Sequence, residues 1–212
     1  MAPKFANKHS TPTPLILLAY ICMAVAFAAR SATANGGATG DKYVRDACSV
    51  TRYRNLCIRS LAPFSSAAKD SPVVWARAGV SVTLSEAKGV ARYLVKLNRY
   101  NNPTRGRSYK AALSDCVELF GNAIDELHQS LGVLRNLSKR TLGTQIGDLN
   151  TWLSAALTDA DTCLEGFQGQ ERGIKEVKLI RAKVSRASCI TSNALALVNK
   201  LAASGFGSVA DP

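Results

Sequence analysis

Asp125 and His128 stand three residues apart in a stretch with helical periodicity, close enough on one helix face to form an acid–base pair. Asp159, Asp161 and Glu165 bring three carboxylates close together, the raw material of glycoside hydrolysis. Neither grouping is completed. There is no G-x-S-x-G nucleophile elbow. His128 lacks the further ligands at suitable spacing that zinc requires, since His9 is the other histidine and lies in the N-terminal leader. The glycine-rich stretch Asn35 to Gly40 has Asp41 where a phosphate-binding loop needs lysine. Asp125–His128 therefore reads as a surface helix pair and the carboxylates as structural or contact groups. No catalytic residue, metal ligand or cofactor is expected, and the chain is not read as an enzyme.

The thiols are the informative chemistry. Leu113, Cys116, Phe120, Ala123, Leu127 and Leu134 form one apolar stripe, and Ile146, Leu149, Leu153, Ala156, Ala160, Cys163 and Phe167 form another. Alternating steps of three and four are the mark of helices burying one face against other helices. Two inward cysteines on two helices of one bundle can meet. Sequence alone permits three pairings of any four cysteines. The phasing favours Cys116 with Cys163 and leaves Cys48 with Cys57 as a local pair. Cys189 remains as a free thiol beside the inward positions of the last helix.

Disulfides presuppose an oxidising compartment, and the start of the chain agrees. Lys4 and Lys8 precede an apolar run, Leu15 to Ala29, and Ala32-Thr33-Ala34 offers a small-residue cleavage site. This is the layout of a secretory signal peptide over residues 1–34, and Cys22 would leave with it. The run is short of the roughly 20 residues of a spanning helix, and Arg30 closes it. The tail from Ser204 carries no lipid-anchor signal. Loss of Lys4, Lys8 and Arg30 lowers the formal charge from +12 to +9. A secreted basic domain is drawn to polyanionic polysaccharide and acidic proteins. No basic–aromatic motif of a nucleic-acid fold is present, and no membrane contact is expected once the signal is gone.

These stripes need long helices to carry them. After a flexible lead-in, two short helical pieces, Tyr43 to Cys48 and Tyr53 to Leu61, should form a hairpin closed by Cys48–Cys57. Ser71-Pro72 then opens a helix with a serine cap and proline at its first position. That helix carries Trp75, Ala78, Val82, Val90, Leu94 and Leu97 inward and ends at Asn101-Asn102-Pro103; Gly79 and Gly89 are candidates for close helix packing. Further helices are expected over about Ser108–Leu137, Thr144–Gly166 and Glu171–Ala203. Short connections make neighbours antiparallel. The expectation is an all-α protein: an up-down-up-down four-helix bundle (71–204) preceded by a disulfide-closed helical hairpin (35–70 with the lead-in) and followed by a flexible tail (205–212). Asn136-Leu137-Ser138 is an N-glycosylation sequon at a loop. Glu118, Asn122 and Asp125 share a face pointing away from the core.

The C-x8-C pair at Cys48 and Cys57, with Tyr53, Asn55 and Leu56 before the second cysteine, resembles the plant invertase/pectin methylesterase inhibitor family. So do D-C-V-E-L-F-G-N-A-I-D-E-L from Asp115, W-L-S-A-A-L-T-D-A-D-T-C-L-E-G-F from Trp152 and T-S-N-A-L-A-L from Thr191. The resemblance implies the same hairpin-plus-bundle fold, with the first two cysteines joined and the third joined to the fourth. It implies a secreted cell-wall (apoplast) inhibitor of either pectin methylesterase or acid invertase. Invertase inhibitors of the family use a Pro-Lys-Phe motif near the start of the last helix. Here that region reads G-Q-E-R-G-I-K-E-V from Gly169, and Pro3-Lys4-Phe5 lies in the leader. Inhibition of pectin methylesterase by a stoichiometric complex that covers its pectin-binding cleft is therefore the expected function. The alternatives are inhibition of acid invertase and, in another class, a basic pectin-binding wall protein. By matching distances from the third and fourth cysteines, Glu118, Asn122, Asp125, Asn150 and Thr162 fall at partner-contact positions. Phe120 departs from the family's usual tyrosine, and Cys189 lies a turn from the fifth cysteine of some members.

Overall fold

A computed structural model describes residues 37–100, 106–170 and 175–205. The signal-peptide region, the Asn101–Pro103 stop, residues 171–174 with Ile174, and the tail from residue 206 lie outside them. The chain divides after Thr39, and the hairpin and bundle belong to the unit from Gly40 onward. The regular elements among the described residues are helical: α1 (Gly37–Ala47), α2 (Arg54–Leu61), the single turn α3 (Ser65–Ala68), and the long α4 (Pro72–Arg99), α5 (Arg107–Arg135), α6 (Leu142–Glu165) and α7 (Lys175–Ser204). None is long and apolar enough to cross a membrane.

The ends of α4 show how local chemistry sets the boundaries. Ser71 Oγ accepts from the Val74 amide at 3.4 Å and Pro72 follows it, so an orphan N–H is satisfied where proline donates none. The start of α1 differs from expectation. It begins at Gly37, inside the stretch expected to be a flexible lead-in. Propagating an existing helix gains one hydrogen bond per residue fixed, and α1 is anchored further on by the buried Val44 and Ala47.

The four long helices close a ring in which α4 packs on α5 and α7, and α6 packs on α5 and α7. Cross-contacts show neighbours running antiparallel. Arg77 near the start of α4 donates to the Leu134 carbonyl at the end of α5 (2.8 Å), and Gly79, also near the start of α4, lies beside Leu197 near the end of α7. The core is continuous, with Ala76, Val80, Leu94, Leu113, Phe120, Leu127, Leu149, Leu153, Ile180, Val184 and Val198 all buried. Tyr109 and Phe167 close one end with ring centroids 5.8 Å apart.

The inward face of α4 is not the single stripe expected. Ala76, Val80, Leu84 and Val90 enter the bundle core, whereas Trp75 and Ala78 join Val44, Cys48, Cys57, Leu61 and Leu197 in a second cluster under the hairpin. Val82 is half-buried and packs against that second cluster, and Leu97 is also only half-buried. One helix with two partners needs two apolar stripes, and a single-stripe reading merges them. The hairpin is pinned by Asn193, buried on α7, which accepts from the Tyr53 amide and donates to the Tyr53 carbonyl, both at 3.1 Å. The cavity between Cys57 and Leu61 of α2 and Gly79 and Ala194 of the bundle is about 10 Å³, at most a single water's worth.

Gly79 and Gly89 have different roles. A Cβ on Gly79 would stand 3.0 Å from Leu197 Cδ1 and 3.4 Å from the Ala194 backbone, while one on Gly89 would meet only the tip of Arg92 at 3.9 Å. Gly79 thus permits the close approach of α4 to α7. Gly79→Val should lower stability in urea unfolding by about 1–3 kcal/mol through overpacking. Gly89→Ala should raise it by about 0.5–1 kcal/mol through helix propensity. Equal effects at the two positions would contradict the assigned packing.

Candidate functional site

Among the described residues two disulfides are present, Cys48–Cys57 with Cα atoms 5.8 Å apart and Cys116–Cys163 with Cα atoms 4.7 Å apart. Cys189 is free and half-buried. The second bridge joins the buried stripes of α5 and α6, and all four bridged cysteines are in the core. One turn from each end of that bond, the helices touch again. A Cβ on Gly166 would lie 3.3 Å from Ala112 Cβ. Ala112, Leu119 and Glu126 recur at seven-residue steps on α5, as do Trp152, Asp159 and Gly166 on α6, so these positions flank the seam between the two helices.

The outward residues can be placed relative to that seam. Glu118, Asn122 and Asp125 are exposed on α5, and Thr162 is exposed on α6. Asn122 is four residues from Glu126, and Thr162 three from Asp159, so both sit one step out from the seam onto the solvent face. The fold therefore gathers Glu118, Asn122, Asp125 and Thr162 on one surface. Asn150 does not join them. It lies nine residues, half a revolution, from Asp159, on the flank of α6 away from α5. It is half-buried, and its Oδ1 is buried without a hydrogen-bond partner. Spacing from a cysteine fixes distance along a helix and leaves the flank to be worked out, which is why spacing alone groups Asn150 with the rest. Asn136 is exposed at the end of α5, in a loop closed by Gln145, which accepts from the Ser138 amide and donates to the Asn136 carbonyl, each at 2.9 Å.

Two acidic residues outside the expected contact set occupy the seam itself. Glu126 and Asp159 are both half-buried, and each has one carboxylate oxygen buried without a hydrogen-bond partner. Burial raises the Glu126 carboxyl from its ordinary 4.5 to about 7, with the Asp159 charge adding to the effect. Burial raises Asp159 as well. Their signal in the sequence is the seven-residue phase they share with Ala112 and Gly166, a signal that carries meaning only once that contact is known.

The charge on this pair of helices is one-sided. Along α6 the charged residues are Asp148, Asp159, Asp161 and Glu165, with no cation, and between Cys116 and Leu134 of α5 they are Glu118, Asp125 and Glu126. No group of three or more potential metal ligands occurs among the described residues. The surface is suited to contact with a cationic or polar partner.

The raised Glu126 carboxyl has a pH consequence. Folding favours its protonated form, so the folded state holds more protons than the unfolded one between pH 4.5 and about 7, and stability falls as pH rises through that window. Glu126→Gln, which cannot ionise, should melt at a higher temperature than the parent at pH 7.5. The difference should close by pH 4.5, as followed by circular dichroism. A gap that persists unchanged at pH 4.5 would contradict the assignment.

The chain matches the family model described as plant invertase/pectin methylesterase inhibitor over residues 42–197. It is 48% identical over 164 residues to pectinesterase inhibitor 6 of Arabidopsis thaliana, covering 77% of each chain. It is 39% identical over 198 residues to pectinesterase inhibitor 3 of the same plant, covering 90% of this chain and 93% of the relative. Its fold is similar to the crystal structure of a mutant form of a pectin methylesterase inhibitor from Arabidopsis, with TM-score 0.57, 20% identity, and 72% and 92% of the two chains covered. With a helical hairpin and a four-helix bundle matched over nearly all the described residues, the chain belongs to the plant invertase/pectin methylesterase inhibitor family.

Proposed function

We propose that this protein is a secreted cell-wall inhibitor of pectin methylesterase that acts by occlusion, one inhibitor covering the pectin-binding cleft of one enzyme. The observation that carries the reading is the shared polar and acidic surface of α5 and α6, formed by Glu118, Asn122, Asp125 and Thr162 beside a disulfide-fixed seam. A cleft that binds an acidic polysaccharide presents cationic and polar groups, and these are what such a surface complements. The names of the curated relatives, pectinesterase inhibitors, support the same target. A standard-size interface would bury about 1,600 Å². Asn150 falls outside the contact set in this reading, and Glu126 and Asp159 enter it as the floor of the seam.

Acid invertase is the competing target, since the family's description names both enzymes. Against it stands the sequence after Gly169, which lacks Pro-Lys-Phe. Asn136, exposed at the α5–α6 loop, is the proposed glycosylation site and lies at the far end of α5 from the Cys116 bridge.

Titrating the purified protein against a pectin methylesterase and an acid invertase should give saturable one-to-one inhibition of the first alone. Asp125→Lys should weaken that inhibition by about tenfold or more, as expected where a charge pair is replaced by like-charge repulsion, with helicity unchanged. Undiminished inhibition by a fully helical Asp125→Lys protein would remove this surface from the mechanism. Inhibition of invertase alone would replace the target.

A further inference from the structure

Charge in the bundle is segregated. While α5 and α6 carry most of the acids, α4 carries Arg77, Lys88, Arg92, Lys96 and Arg99 against Glu86 alone, and α7 carries six cations against Glu176 alone. Glu86 is occupied by Arg186 at 3.0 Å. On α4 the last four cations recur at steps of four, four and three, so they line one face over about 16 Å of helix. This face is turned away from the flank by which α4 meets α7 through Gly79 and Glu86.

A shallow, open groove of about 510 Å³ runs along the end of this ladder, lined by Ala91, Arg92, Val95, Lys96, Arg99 and Tyr100. Among the described residues no carboxylate lines it. Ala91 and Val95 are half-buried and form an apolar floor, the three cations are the polar lining, and Tyr100 is 79% exposed. A tyrosine ring left in water beside three cations is an unused binding element: ring faces pack on apolar ligand surfaces, and guanidinium groups take carboxylates two hydrogen bonds at a time.

The geometry points to this groove as a second binding site, one that holds an acidic polysaccharide of the polyuronate type independently of any enzyme bound at α5–α6. One feature selects this class among polyanions. The groove sits at the C-terminal turn of α4, where the backbone carbonyls carry negative partial charge. That partial charge, near half an electron, is outweighed by three cations yet disfavours a ligand made only of anionic oxygens. A sugar acid answers that demand, offering carboxylates to Arg92, Lys96 and Arg99, hydroxyl donors to carbonyls, and C–H faces to Tyr100. Long-range attraction from the remaining cations of α4 and α7 would raise the encounter rate and make it salt-sensitive. The site would hold the inhibitor on de-esterified polymer while its acidic face stays free.

The test is binding of the full mature chain to polygalacturonate, to its fully methyl-esterified form, to polyglutamate and to anionic phospholipid vesicles, across a sodium chloride series. Polygalacturonate should bind most tightly, and Arg92→Glu/Lys96→Glu should weaken it by about tenfold or more, the equivalent of about 1.4 kcal/mol. Tyr100→Ala should weaken polygalacturonate and leave polyglutamate unchanged, which separates sugar recognition from bare charge. Esterase inhibition by the Arg92→Glu/Lys96→Glu protein should equal the parent's, so this site and the inhibitory surface are read separately. The proposal is overturned if the double reversal leaves polygalacturonate binding intact, or if polyglutamate or vesicles bind as tightly as polygalacturonate.

Discussion

One covalent bond, between Cys116 and Cys163, sets how the two acidic helices can lie. It joins buried positions on α5 and α6, so it fixes their axial register as well as their distance. The Gly166–Ala112 approach nearby then fixes their rotation. Closing a loop of this length constrains the unfolded chain by roughly 4 kcal/mol, comparable with a large part of a small domain's net stability. The outer residues inherit that precision. Glu118 and Thr162 lie two residues and one residue from the bridged cysteines, where relative motion of the helices is smallest.

Clustering seven carboxylates on α6 and the middle of α5 has an energetic consequence inside the molecule. Glu126 and Asp159 meet at the seam with buried, unpartnered oxygens, and both resist ionisation. The acidic surface proposed to meet a partner is thus slightly at odds with the stability of the bundle that presents it, a common arrangement where binding residues are concentrated. Most cations of the four long helices sit on α4 and α7, and those of α5, Arg107, Lys110 and Arg135, lie outside its acidic stretch. Under the functions proposed above, the acidic side would engage a cleft and the basic side a polymer.

Most of the architecture is legible in the sequence because it rests on periodicity. The stripes through Cys116 and Cys163 predict buried, facing cysteines, and these two are bridged. Ser71-Pro72 predicts the start of α4 from hydrogen-bond chemistry within four residues. Features that depend on which neighbour a helix flank meets are not legible. Trp75 and Ala78 have the spacing of bundle-core residues but serve the hairpin. Asn150 shares spacing with the proposed contact residues and faces the other flank. Glu126 resembles one more surface charge until the Ala112–Gly166 contact places its phase at the seam. Asn193 lies within a recognisable motif, yet only the structure shows it clasping Tyr53 from 140 residues away.

If α5 and α6 face the enzyme while α4 and α7 face outward, chemical footprinting of the inhibited esterase complex will show it directly, with a carbodiimide reporting on carboxylates and an acetylating reagent on lysines. Glu118 and Asp125 should become protected on complex formation while Lys88 and Lys96 stay as reactive as in the free protein. Protection of Lys88 and Lys96 with Glu118 and Asp125 still labelled would place the enzyme on the opposite side of the bundle and contradict this orientation.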